Sequence, residues 1–227
     1  MSLANPLKLT LSYTETMMGF LFFNADPRRI EMIGLGGGSL AKYCHHALPE
    51  ADITVVEISA DVIELREQFL IPPDSDRFHI LWGDGADYVN ASSARPDVLM
   101  VDGFDGAGQP PQLCSSEFYD HCYARLAPEG LMVANLWGND CDYRHHAARI
   151  DQSFFGNLII VPSEGTSNRT VFARKGSSLS LSKAQLERSE TLFNDRDARF
   201  LTAIGRRIVQ QFQRRAKHQG KPEPRAG

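Results

Sequence analysis

Short apolar runs alternate with longer stretches of helical periodicity along most of the chain. The apolar runs are bounded by turn residues and predict strands at residues 30–35, 53–57, 78–82, 98–102 and 131–136. The stretches between them predict helices, notably at residues 39–48, 60–70, 115–126 and 143–155. Strands and helices that alternate in this way form βαβ units around a parallel sheet.

Two further β-rich runs follow at residues 158–161 and 170–173, with the turn-like segment 162–165 between them. Because no helix separates these runs, they predict an antiparallel hairpin at one edge of the sheet. Five crossover-linked strands with a terminal hairpin are the plan of the class I S-adenosylmethionine-dependent transferases. We therefore expect an α/β fold with a doubly wound, mostly parallel sheet of that type.

The two ends of the chain predict smaller additions to this sheet. The pattern at residues 7–13 predicts an extended segment, which leads into a short apolar helix. Residues 182–213 have helical composition, with Ser182 as a candidate N-cap. The expected organisation is a lead-in at 1–25, a Rossmann-like nucleoside-binding catalytic domain at 26–176, and a C-terminal helix with a basic tail at 177–227. The apolar lead-in could pack under its own sheet or against a second copy in a homodimer.

Composition and charge narrow the class of substrate. The 227 residues are 42% hydrophobic and 23% charged, as in ordinary globular proteins. The formal net charge is −4, but the residues after Gly205 include seven Arg or Lys and a single Glu, so the rest of the chain is more acidic. An acidic body disfavours a nucleic-acid partner and suits a small cationic substrate.

Features missing from the sequence disfavour a membrane-spanning, secreted or metal-binding protein. No apolar run is long enough to span a membrane, and the N-terminal residues lack the pattern of a secretory signal, so we expect a cytoplasmic protein without a membrane partner. The four cysteines show no C-x-x-C spacing, and the histidine pairs at 45–46 and 145–146 are adjacent instead of helically spaced. We therefore expect no metal.

A possible nucleoside site follows the first three predicted strands. Gly34, Gly36 and Gly38 join the first strand to the first helix, where glycines let the backbone approach a ligand at a helix N-terminus. Glu57 ends the second strand, 23 residues after Gly34, near the spacing at which an acidic side chain accepts ribose hydroxyls. Asp84, after the third strand, could bond an adenine amino group, act as a plain helix N-cap, or do both.

A pair of carboxylates ends the fourth strand. Asp102 and Asp105 follow an apolar run and lie three residues apart. They would repel each other unless a cation or hydrogen-bond donors lie between them. The pair therefore indicates a functional site for a cationic group.

Taken in order, these motifs resemble the polyamine aminopropyltransferases, the spermidine and spermine synthases. That family carries a Tyr-Gln-Glu-Met segment, a glycine-rich loop with an Asp, Glu-Ile-Asp after strand two, Asp-Gly after strand three and Asp-Ser-Ser-Asp-Pro after strand four. The matching stretches are residues 13–17, 34–39, 57–63, 83–85 and 102–106. A family-like helix start follows at Leu113-Cys114-Ser115-Ser116-Glu117-Phe118-Tyr119.

The resemblance implies a reaction and a set of roles. It implies transfer of an aminopropyl group from decarboxylated S-adenosylmethionine to a small polyamine such as putrescine. Glu57 would hold the ribose, Asp84 the adenine, and Asp102 would receive the amine proton. Asp105 and Tyr13 would help to hold the acceptor amine.

Departures from the family pattern leave other functions open. Asn135 stands at the family's Gln after strand five, and Glu164 falls near its late Tyr; both are candidate acceptor-binding residues. Thr14 replaces the Gln that follows the family's Tyr, and Gly37 replaces the Asp of the glycine loop. A carboxylate at that loop position would repel ordinary S-adenosylmethionine, so a methyltransferase that uses S-adenosylmethionine is one alternative. A non-catalytic nucleoside-binding protein is another, because little of the family's N-terminal β-domain precedes Tyr13.

Overall fold

The computed structural model describes residues 2, 4–91, 93–105, 108–137, 143–182, 185–187 and 195–219. The strands in these residues are β1 (Arg29–Ile33), β2 (Asp52–Glu57), β3 (Phe78–Trp82), β4 (Val98–Val101), β5 (Leu131–Trp137), β6 (Leu158–Pro162) and β7 (Asn168–Arg174). They form one sheet in the order β3-β2-β1-β4-β5-β7-β6. β7 runs antiparallel to β5 and β6, and the other neighbouring pairs are parallel. The predicted α/β sheet with a terminal antiparallel hairpin is confirmed.

Helices connect the parallel strands. They are α1 (Ser12–Met17), α2 (Ser39–Ala47), α3 (Ala60–Glu64), α4 (Gly85–Ala91), α5 (Ser116–Arg125), α6 (Tyr143–Ser153) and α7 (Asp195–Gln219), with 3₁₀ helices at Met18–Phe22 and Pro111–Leu113. The Ser115 hydroxyl accepts the Phe118 N–H at 3.0 Å and so caps α5. Among the described helices, none combines the length and apolarity needed to cross a membrane.

Both faces of the sheet are covered. One face packs against the 3₁₀ helix at Met18–Phe22, α2 and α7, and the other against α5 and α6. All four residues of β4 are apolar and buried. A continuous apolar run of this kind is typical of a parallel strand with helices on both faces.

The strand register brings several predicted site residues to one edge. The last residue of β1 pairs with Val56 of β2 and Val101 of β4. The residues that follow these positions, Gly34, Glu57 and Asp102, therefore lie at the same carboxyl edge. The strand order also reverses at β1, between β2 on one side and β4 on the other, and such a reversal opens a crevice for ligands.

The lead-in differs from its prediction in one respect. An extended segment is predicted at 7–13, but α1 already begins at Ser12, so that part of the prediction is wrong. The apolar helix after it is confirmed. A Cβ atom on Gly19 would lie 2.9 Å from Ile204 of α7 and 3.0 Å from Phe172 of β7, so glycine permits this close packing. The lead-in forms part of the chain's own core, while the domain boundaries and the homodimer stay predictions.

The third helix is shorter than predicted. The helix predicted at 60–70 ends at Glu64. Leu70 adopts a left-handed φ of 54°, which no residue inside an α-helix has. The preceding Phe69 carbonyl accepts a hydrogen bond from the buried Lys42 ammonium at 2.5 Å. The Lys42 contact comes from helix α2, so the hydrophobic periodicity of residues 60–70 alone could not predict it.

The C-terminal region begins at the predicted cap. The Ser182 hydroxyl accepts the Gln185 N–H at 3.2 Å, and the Gln185 side chain accepts the Ser182 N–H at 2.9 Å, which makes a capping box. A helical turn at 185–187 follows, and α7 extends to Gln219, beyond the predicted end at 213. Residues 188–194 and the basic end at 220–227 lie outside the described residues.

Candidate active site

A cavity of about 610 Å³ opens at the carboxyl edge of the sheet, beside the reversal of strand order. Residues after β1, β2, β3 and β4 line it, together with α1 and the 3₁₀ helix at Pro111–Leu113. The predicted site residues in this lining are Tyr13, Gly34, Gly36, Glu57, Asp84, Asp102 and Asp105. Three predicted site residues lie outside the lining: Gly38, Asn135 and Glu164.

The glycine loop forms the cavity wall after β1. Gly34 has a φ of 97°, and a Cβ atom there would lie 2.4 Å from the Asp102 carbonyl oxygen, so only glycine fits against β4. Gly36 also has a positive φ, and nothing lies within 4 Å of its missing side chain. Gly38 packs against Ile71 instead, because a Cβ atom there would lie 2.6 Å from that side chain. Gly34 and Gly36 thus shape the cavity, and Gly38 closes the loop behind it.

Glu57 holds the glycine loop from the end of β2. One carboxylate oxygen accepts the Leu35 N–H at 2.8 Å, and the other accepts the Ser59 N–H at 2.9 Å. The residue is 8% exposed. Each carboxylate oxygen can accept a further hydrogen bond, so Glu57 retains acceptor capacity toward the cavity.

Asp84 is both a helix cap and part of the cavity lining. Its Oδ1 accepts the N–H of Ala86 at 2.7 Å at the start of α4, as the N-cap alternative predicts. Its Oδ2 accepts a hydrogen bond from the Gln112 amide at 3.3 Å. Sequence analysis missed Gln112, which reaches the site from the 3₁₀ helix after β4.

Two hydrogen-bond donors meet the carboxylate of Asp102, at the end of β4. The Asn135 amide donates to Oδ1 at 2.9 Å, and the Tyr13 hydroxyl also hydrogen-bonds to this carboxylate. Burial raises the pKa of Asp102 from 3.8 to about 6, and the two hydrogen bonds partly oppose this rise. Near neutral pH this group is therefore a carboxylate that is easily protonated.

Tyr13 and Asp105 share the cavity lining with Asp102. Burial, and after it the Asp102 charge, raises the pKa of Tyr13 above its ordinary value, so its hydroxyl stays protonated as a donor. Asp105 is exposed, and its backbone N–H donates to the Gly108 carbonyl at 2.8 Å. The structure thus brings a neutral donor and a second carboxylate to the cavity with Asp102.

The remaining two predicted acceptor-binding residues, Asn135 and Glu164, lie outside the cavity lining. Asn135 is 2% exposed and lies behind Asp102, so it supports the carboxylate without lining the cavity. Glu164 is exposed in the turn between β6 and β7, where its carbonyl accepts the Ser12 hydroxyl at 2.6 Å. Its side chain interacts electrostatically with Arg207 of α7.

Comparison with known proteins identifies the family. A family model described as the spermine/spermidine synthase domain matches residues 10–156. This chain belongs to the spermine/spermidine synthase family. A polyamine aminopropyltransferase of Chromobacterium violaceum is 37% identical over 223 residues, which cover 96% of this chain and 84% of that protein. The resemblance predicted from the motifs is confirmed.

Two solved structures share the fold of this family member. Human methyltransferase-like protein 13 in complex with SAH has a TM-score of 0.70 at 24% identity and covers 86% of this chain and 92% of that one. A spermidine synthase in complex with the transition-state analogue AdoDATO has a TM-score of 0.66 at 22% identity and covers 78% of this chain and 65% of that one. These similarities confirm the predicted class I transferase fold.

The synthase-family cavity has the groups that a reaction with a cation requires. Carboxylates from three strand ends face one space, and apolar side chains such as Val62 and Leu113 complete its lining. Such a cavity attracts a cationic ligand and orients it. In the part of the chain that the structure describes, no group of three or more His, Cys, Asp and Glu residues could hold a metal ion.

Proposed function

We propose that this protein transfers an aminopropyl group from decarboxylated S-adenosylmethionine to a small polyamine such as putrescine. The observation that carries the proposal is Asp102, a carboxylate in the cavity lining that accepts hydrogen bonds from Asn135 and Tyr13 and whose pKa desolvation raises to about 6. Membership of the spermine/spermidine synthase family supports the same reaction class.

In this proposal the nucleoside binds between the ends of β1, β2 and β3. Glu57 accepts hydrogen bonds from the ribose hydroxyls, and the free capacity of its two carboxylate oxygens supports this role. Asp84 accepts a hydrogen bond from the adenine amino group while it caps α4. The sulfonium side of the donor then lies toward Gly36 and Asp102.

The acceptor amine binds beside Asp102. An aliphatic ammonium group has a pKa of about 10.4, so it must lose a proton to become a nucleophile. The nitrogen attacks the aminopropyl carbon bonded to sulfur, the carbon–sulfur bond breaks, and methylthioadenosine leaves with the electron pair. Asp102 takes the ammonium proton before this attack, and the neutral amine then becomes the secondary ammonium of the product as the new carbon–nitrogen bond forms. Tyr13 and Asp105 hold the cation in line.

Methyl transfer from ordinary S-adenosylmethionine is the second candidate. Gly37 lines the cavity without a charge at the position where the family carries an Asp. The carboxylate of ordinary S-adenosylmethionine therefore meets no like charge from this residue. The human methyltransferase-like protein 13 structure has the same fold, so the fold is compatible with either reaction.

Identification of the sulfur product separates the candidates. The protein is incubated with a panel of polyamines and either decarboxylated or ordinary S-adenosylmethionine. We expect methylthioadenosine and a polyamine longer by one aminopropyl group. S-adenosylhomocysteine as the product would overturn the proposal in favour of methyl transfer. Nucleoside binding without turnover of either donor would indicate the non-catalytic alternative.

A further inference from the structure

A second, half-buried amide lies behind the one that contacts Asp102. Asn168 begins β7 and pairs with Trp137 of β5, two residues from Asn135 on the same strand. The Asn168 side-chain NH₂ donates to the Asn135 oxygen at 3.1 Å, and the Asn135 NH₂ donates to Asp102 at 2.9 Å. Three side chains from β7, β5 and β4 thus form one directed chain of hydrogen bonds that ends on the Asp102 carboxylate.

Asn168 and Asp102 select the same orientation of the Asn135 amide, Asn168 as a donor and Asp102 as an acceptor. An amide has one donor end and one acceptor end of nearly the same shape, and its neighbours decide which way it points. At Asn135 the oxygen receives the Asn168 donor, so the NH₂ end is directed to Asp102. A rotated Asn135 would turn its carbonyl oxygen toward the carboxylate, where two acceptors would repel each other.

We propose that Asn168 is a positioning residue, which fixes the Asn135 amide so that Asn135 donates to Asp102. The inference deepens the proposed function and rests on it, because there Asp102 is the base. The Tyr13 hydroxyl from α1 also hydrogen-bonds to Asp102, and the carboxylates of Glu57, Asp84 and Asp105 share the cavity lining with it. Tyr13 donates without help from Asn168, so the orientation of the Asn135 donor is what Asn168 controls.

Replacement of the donor by an acceptor of the same shape tests this role. In Asn168→Asp, the new carboxylate can only accept, so it competes with Asp102 for the Asn135 NH₂ group and leaves the Asn135 oxygen without its donor. In Asn168→Ala the donor is lost without a new charge. Ser167→Asp is the matched control, because it adds the same charge at the neighbouring residue, where the Ser167 hydroxyl accepts the Trp137 indole N–H at 3.1 Å instead of contacting Asn135.

The primary measurement is the pKa of Asp102 by carbon-13 NMR of its carboxyl group, with the resonance assigned from Asp102→Asn. We expect Asn168→Asp to raise this pKa by about one pH unit or more, since a hydrogen bond to the charged form is lost. Asn168→Ala should raise it by a smaller amount, and Ser167→Asp by less than about 0.3. Turnover of Asn168→Asp should fall about fivefold at about pH 6 and recover at higher pH, because the base is then again deprotonated.

The outcomes distinguish this inference from the proposed function. An Asp102 pKa unchanged in both Asn168 variants, or raised equally by Ser167→Asp, would overturn the positioning role. If Asn168→Asp does not fold, Asn168→Ala gives the deciding titration. If the pKa moves as expected while Asp102→Asn keeps full turnover, the hydrogen-bond chain stands and the base assignment in the proposed function is wrong.

Discussion

Individual acidic side chains in the cavity hold the protein's own backbone and retain hydrogen-bond acceptor capacity. Glu57 binds two backbone N–H groups of its own chain and can still accept hydrogen bonds from a ligand. Asp84 caps α4 and lines the cavity. Because a single carboxylate serves both purposes, its substitution should affect ligand binding and the loop around it together.

Substitution of Glu57 should weaken nucleoside binding. We expect Glu57→Ala to cost about 1.5 to 3 kcal/mol in the binding of methylthioadenosine, the loss of a charge-assisted hydrogen bond. Isothermal titration calorimetry measures this directly, with S-adenosylhomocysteine as a second ligand. Glu50→Ala, which removes an exposed carboxylate in the turn between α2 and β2 and outside the cavity lining, is the control and should bind as the unaltered protein does. Equal affinity in Glu57→Ala would contradict the ribose role.

At the scale of elements, a buried ion pair joins helix α5 to strand β1. Arg125 and Glu31 contact each other at 2.6 Å, and both side chains are 1% exposed. The Arg125 guanidinium also lies over the Tyr88 ring of α4, 4.4 Å from its centre. Removal of one charge would leave the other buried without its partner, which is much more costly than loss of an exposed pair.

A double substitution tests this packing. Arg125→Met should lower the free energy of unfolding by about 3 to 5 kcal/mol, measured by urea denaturation, because Glu31 stays buried and unpaired. Arg125→Met combined with Glu31→Leu should recover much of that loss. Arg28→Met removes a partner of the exposed Arg28–Glu50 pair and should cost less than about 1 kcal/mol. A double variant as unstable as Arg125→Met would contradict this interpretation.

The elements also show which structural features were predictable from sequence. The ends of β1 to β4 were predictable because each apolar run stops at a glycine or an acid, and a parallel sheet brings such ends to one edge. The early end of α3 was not predictable from sequence, because it depends on the contact between Lys42 and Phe69. Asn168 was not predicted, because its contact with Asn135 depends on the register in which β7 pairs with β5. The sequence feature that could have indicated it is a polar residue at the start of β7, opposite the end of β5.

For the whole molecule, the acidic cavity and the family agree on the kind of reaction. The strand-end motifs predicted that Gly34, Glu57, Asp84 and Asp102 come together, because the fold brings these strand ends to one cavity; their nucleoside-binding roles stay predictions. The acceptor side was less predictable. Asn135 supports Asp102 from behind, and Glu164 faces Arg207, because both depend on how β7 and α7 pack on the sheet. In the proposed reaction, we expect specificity for the acceptor amine to depend on these later elements.

The central claim is that Asp102 is the base for aminopropyl transfer, and its pH dependence tests it most directly. The measurement is the single-turnover rate of methylthioadenosine formation from decarboxylated S-adenosylmethionine and putrescine, from about pH 5 to about pH 9, for the unaltered protein and Asp102→Asn. We expect the rate to rise as Asp102 loses its proton, with a midpoint near its pKa of about 6. The rate of Asp102→Asn should be lower by a factor of about 10² to 10⁴ and should lack that rise. Any pH dependence of the rate that arises from protonation of the amine itself should persist. An Asp102→Asn variant that keeps both the rate and the rise near pH 6 would contradict the claim.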